Sequence, residues 1–180
     1  MKRSAFLKSL CAASAAGLSA CSTTPSSSTP ATTAGGASWP PANYRTVRAF
    51  VYDSEAELRN MSFWRKDGRM HTGVINAPGT VLTDDQVKRV IATANTPHPL
   101  EKYKPCYVPH HAFVFYDAAD KPVATLEVCF TCNRHVATPK GTPDHINYGA
   151  LWNLLHEAGV PAERGPYYYR QLYRKTKGQA

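Results

Sequence analysis

From Tyr44 to Tyr52 the chain mixes β-branched and aromatic residues with arginines and stops at Asp53-Ser54, which predicts a strand. Ser62–Lys66 and Met70–Ile75 are weaker strand candidates on either side of Asp67-Gly68, a hairpin-type turn pair, and Asn76–Gly79 is a turn. Thr83-Asp-Asp-Gln86 matches a capping box, and Val87, Val90, Ile91 and Ala94 recur behind it at helical spacing. A helix over Asp84–Asn95 follows, closed by the prolines after Thr96. The runs Ala112–Asp117 and Pro122–Cys129 predict a β-hairpin, and Asn147 caps a second helix, Tyr148–Glu157, that stops at Gly159. The tail Gly165–Tyr173 alternates enough to predict a last strand, an edge guarded by its arginines and lysine. Together these elements define an α+β class: one small domain, a mostly antiparallel sheet with a central hairpin over about residues 112–129, and two main helices.

The polar pattern changes at the N-terminus. Residues 1–20 begin with Lys2, Arg3 and Lys8, continue through a short Ala/Ser-rich apolar run and contain no acid, the pattern of a secretory signal peptide rather than a membrane span. Leu18-Ser19-Ala20-Cys21 looks like a bacterial lipobox, so Cys21 is the expected lipidation site, bearing a diacylglyceryl group and a further acyl chain such as palmitate. Ser22 in place of an aspartate favours the outer membrane, with the chain facing the periplasm. Apart from Cys21 and Trp39, residues 21–42 are Ser, Thr, Pro, Ala and Gly without charge, which predicts a flexible lipidated tether. Residues 43–180 remain as the globular domain, about the size of one hydrophobic core.

The formal net charge of +8 includes the leader. Without the three basic residues of the first twenty, 18 Lys and Arg stand against 13 Asp and Glu, a net of +5. Outside the cytoplasm this argues against nucleic acid as partner and for the membrane itself, reached through Cys21, and for an envelope protein or acidic polymer.

Three of the five cysteines and three of the seven histidines lie between Cys106 and His135. A two-residue hairpin loop, Ala119-Asp120, puts His110 opposite Cys129; a three-residue loop, Ala119–Lys121, puts His111 there. Cys129-Phe-Thr-Cys132 followed by Asn133, which tolerates a left-handed backbone, resembles a zinc knuckle. Cys106, His111, Cys129 and Cys132 would make a tetrahedral Cys3His site for Zn or Cu, with His110 and His135 as alternative ligands. The competing readings are a disulfide from Cys106 to Cys129 or Cys132 with one thiol left over, and inert buried thiols.

A thiol-dependent redox enzyme is a further reading, but the residues after Cys132 do not predict the helix that lowers a thiol pKa. A Cys/His/Glu127 triad lacks any supporting oxyanion-hole signature. No Gly-x-Ser-x-Gly, phosphate loop or His-Glu-x-x-His is present. His71, His98, His145 and His156 are expected as surface or capping residues.

The pattern Cys106-Tyr-x-Pro-x-His111, then Phe-Tyr-Asp, Lys-Pro-Val-Ala and Cys129-Phe-x-Cys132, resembles one found in uncharacterised bacterial lipoproteins and periplasmic proteins. The resemblance spans about residues 83–160, implies one integrated domain, and favours His111 over His110. It carries no activity or substrate.

Overall fold

The computed structural model describes residues 39–57, 61–99, 104–163 and 165–178, all within one compact unit. In chain order the elements are β1 (Thr46–Val51), β2 (Thr80–Val81), α1 (Asp84–Asn95), β3 (His111–Tyr116), β4 (Pro122–Cys129), β5 (Arg134–Thr138), α2 (Tyr148–Glu157) and α3 (Pro166–Thr176). The strands form one antiparallel sheet in the order β2-β1-β3-β4-β5, with β3 and β4 as the central hairpin. The protein is therefore a small α+β domain. The expected leader, the expected lipidation site Cys21 and most of the expected tether lie outside the described residues.

Alternation along the strands sorts two cores. Val47, Ala49 and Val51 of β1, Phe113 and Phe115 of β3, and Leu126 and Val128 of β4 face the helices, where Val90, Ala94, Leu151, Leu154 and Leu155 meet them. Phe50, Tyr52, Ala112, Val114 and Tyr116 face the other way, against Phe63, Val74 and Trp64 from the segment before β2. Every residue of β3 is buried, which is why it reads as an unbroken apolar run.

Both predicted helices form at the expected bounds. The Thr83 hydroxyl accepts from the Gln86 amide while the Gln86 side chain accepts from the Thr83 amide, satisfying two helix-end donors. In α2 the Asn147 side chain accepts from Ala150, and Gly159 takes the left-handed conformation (φ +69°) that closes the helix.

The loop differs from both expected ones, although the register, with His111 opposite Val128, is that of the two-residue alternative. The Asp117 amide donates to Lys121, so the loop is Ala118–Asp120, with Asp120 left-handed at φ +57° and the Asp117 carboxylate accepting from the amides of Ala119 and Lys121. A bulge between Phe115 and Tyr116 then shifts the register, and His111 pairs with Val128.

The tail is not a strand but α3. Pro166 sits in its first turn and no acid lies there; Tyr169 is buried, Leu172 and Tyr173 are half-buried, and Tyr167 is exposed, a spacing of three and four rather than two. Arg170 reaches Glu55 at 3.0 Å instead of guarding a sheet edge. Among the described residues between Tyr52 and Asn76 the expected strands are reduced to single bridges, Trp64 to Met70 on either side of the turn at Gly68 (φ +79°), and Tyr52 to Val74. Trp39, grouped with the tether by composition, is buried against Phe115 and belongs to the folded unit. His71 is likewise buried rather than at the surface, its Nδ1 accepting from the Gly73 amide at 2.9 Å. Gly73 is required there: a Cβ would meet Asp53 O at 2.1 Å.

Candidate disulfide site and buried polar cluster

Cys106 enters from the segment before β3, and Cys132 lies in the tight turn between β4 and β5 that Asn133 completes at φ +49°. Their sulfurs are bonded, with Cα atoms 5.7 Å apart, an ordinary disulfide separation. Lys104 N donates to Cys132 O at 3.3 Å, and the Arg134 guanidinium reaches Cys106 O at 3.4 Å while lying over the Tyr107 ring. The bond thus ties the approach to β3 to the β4–β5 turn.

Cys129 remains a free, buried thiol. Its sulfur accepts from Val108 N at 3.4 Å, and the amides of Thr131 and Cys132 also face it, as in the knuckle geometry. Burial outweighs these donors and pushes the thiol pKa up, so the nucleophilic thiolate is disfavoured.

The histidines are occupied elsewhere. His111 is paired with Val128, not Cys129, and therefore faces the helices; its Nε2 donates to Pro161 O at 2.8 Å, and Phe130 and Tyr169 surround it edge-on. Burial drives its pKa down to about 3. His110 stacks on Tyr169 at 4.1 Å with Nδ1 3.1 Å from Tyr52 O, and burial lowers its pKa. His135 lies between the Tyr148 hydroxyl (2.9 Å) and the Thr142 hydroxyl (3.0 Å) and is lowered for the same reason.

The expected ligands Cys106, His111, Cys129 and Cys132 are therefore not brought together. Two share a bond, and alternation along β4 puts Cys129 on the face of Glu127 while His111 occupies the opposite face. Among the described residues no group of three or more His, Cys, Asp and Glu side chains is placed to hold a metal ion. In this arrangement the residues do not fit a tetrahedral Zn or Cu site.

Sequence reasoning missed the polar cluster beside Cys129. Glu127 is 4% exposed; it accepts from the Ser62 hydroxyl at 2.8 Å, and the Tyr52 and Tyr107 hydroxyls lie close to it. Burial nevertheless holds its carboxyl above the usual range, and raises the tyrosines as well. Among the described residues neither Glu127 Oε2 nor the Tyr107 hydroxyl has a hydrogen-bond partner in good geometry. The available signal was a lone acid inside the apolar strand Pro122–Cys129.

No family model matches the chain, and no curated protein or solved structure matches it. Among the described residues no helix is long and apolar enough to cross a membrane.

Proposed function

We propose that this is an envelope lipoprotein, anchored through acylated Cys21 to the outer membrane and facing the periplasm, whose folded domain is a non-enzymatic binding module. The observation that carries the reading is the Cys106–Cys132 disulfide, which belongs to an oxidising compartment such as the one the leader and lipobox address. A raised, buried thiol at Cys129 and histidines committed to structural bonds supply no activated nucleophile, which favours binding over thiol catalysis. The partner is an envelope protein or polymer, not nucleic acid.

The test is thiol counting by mass on protein isolated from the envelope with its own leader. Under denaturing conditions one thiol labels before reduction and three after, and the acyl mass disappears in Cys21→Ser. Three thiols labelled without reductant, accompanied by stoichiometric Zn or Cu, would reverse the reading in favour of a metal carrier.

A further inference from the structure

The sheet ends at β5, and among the described residues no strand lies on its outer side. A groove of about 700 Å3 runs along that edge, with the consecutive residues of β5 on one wall and the loop from Lys140 to His145 on the other. An open strand edge presents unpaired N–H and C=O groups, which a second chain can extend. Folded proteins usually guard such edges with charge, proline or a cover. Here the guards are few: Pro139 falls just after the strand, Val136 stands 46% exposed, and Arg134, although its guanidinium also reaches Cys106 O and lies over Tyr107, lines the groove as a cation. The opposite edge, β2, has only two residues and offers no comparable template.

The groove is also shaped and charged. His135, held between Tyr148 and Thr142, ties β5 to the facing loop and to α2, so the two walls are braced in place. Arg134 and Lys140 outnumber Asp144 among the lining side chains. The volume lies within the ordinary range for a ligand site, about 300–1,000 Å3.

The geometry points to a peptide-addition site: the β5 groove receives an extended, acidic segment of a partner protein as a sixth strand, its backbone on the β5 edge and its carboxylates toward Arg134 and Lys140. This rests on the binding-module reading and names its site and partner class.

The experiment titrates the 15N-labelled chain, disulfide intact, with a capped peptide of alternating glutamate and valine. An alternately N-methylated copy and a copy with lysine for glutamate serve as comparisons. Amide shifts are expected at residues 133–137 and 140–145. N-methylation should weaken binding about tenfold or more by removing backbone donors. The lysine peptide, or the exposed-loop variant Lys140→Glu, should weaken it by about fivefold. No shift at residues 133–145 at millimolar peptide, or binding that N-methylation leaves intact, overturns the proposal. Either result leaves the thiol count and the membrane attachment unchanged, so its failure is separate from failure of the module reading.

Discussion

His111 is the residue whose burial has the clearest thermodynamic consequence. It is 1% exposed, donates once from Nε2, and among the described residues leaves Nδ1 without a partner, so the imidazole is neutral and surrounded by apolar rings. Its pKa falls from 6.5 to about 3 on folding, which means that the unfolded chain takes up the proton first as the pH drops. Stability is then fully present above pH 6.5 and is lost as pH falls toward 3. From this residue alone the loss at pH 5 relative to pH 8 is about 2 kcal/mol. His110 and His135 act in the same sense. Glu127 acts in the opposite sense, because its raised carboxyl disfavours the folded state as pH rises through its folded value. Urea unfolding at pH 8 and pH 5 should show His111→Gln, which keeps a donor for Pro161 O but does not titrate, losing about 2 kcal/mol of the parent's pH dependence. An unchanged pH dependence would mean that His111 is not the buried neutral imidazole described. The sequence located this histidine but not its face, because a one-residue slip in the hairpin reverses the side of every side chain. Only the bulge at Phe115/Tyr116 settles the register, and nothing in those residue types announces it.

Elements with local chemical signals were legible. The Thr83/Gln86 capping box, Asn147 and Gly159 mark the ends of α1 and α2 through interactions within a few residues of chain, so those bounds were readable directly. The helix α3 was not, since adjacent tyrosines satisfy a period of two as well as one of 3.6, and its packing through Tyr169 onto His110 is a long-range fact. The disulfide belongs to the same category. Its three candidate cysteines were visible, but the partner of Cys106 depends on where the β4–β5 turn places Cys132. Joining positions 26 apart in sequence limits the unfolded chain, and by loop-closure entropy it should stabilise the fold by about 3.5 kcal/mol. A Cys106→Ser/Cys132→Ser double variant should therefore unfold with about 3–4 kcal/mol less stability. Reductant should lower the parent by the same amount and leave the variant unmoved. A parent insensitive to reductant would remove the staple from any account of this domain's stability.

At the scale of the whole molecule, the sheet has to be covered twice. Helices bury one face in the usual manner of an α+β domain, but the other is covered by the segment between β1 and β2, whose described residues form isolated bridges and a few backbone bonds such as Ile75 N to Val51 O rather than a ladder. Side chains supply further attachment. Trp64 Nε1 donates to the Thr125 hydroxyl at 2.7 Å and Ser62 bonds Glu127, so polar residues of β4 fasten the cover from beneath. Phe63 is the central plug: it is fully buried, with its ring centroid 4.9 Å from Phe50, 5.5 Å from Tyr52 and 5.1 Å from Trp64. Phe63→Ala should cost about 3–5 kcal/mol, the range for an aromatic core truncation. Val81→Ala, on an exposed edge residue, should stay within about 0.5 kcal/mol and serves as the control. The two layers also predict where the damage appears. Loss of Phe63 should change Trp64 fluorescence and expose the Ser62–Glu127 and Trp64–Thr125 bonds to solvent, while the α1 and α2 amides keep their hydrogen-exchange protection in proportion to the remaining global stability. A cost below 1 kcal/mol with unchanged Trp64 emission would show that the cover does not close this face, and would leave the buried state of Glu127 and Cys129 without its physical cause.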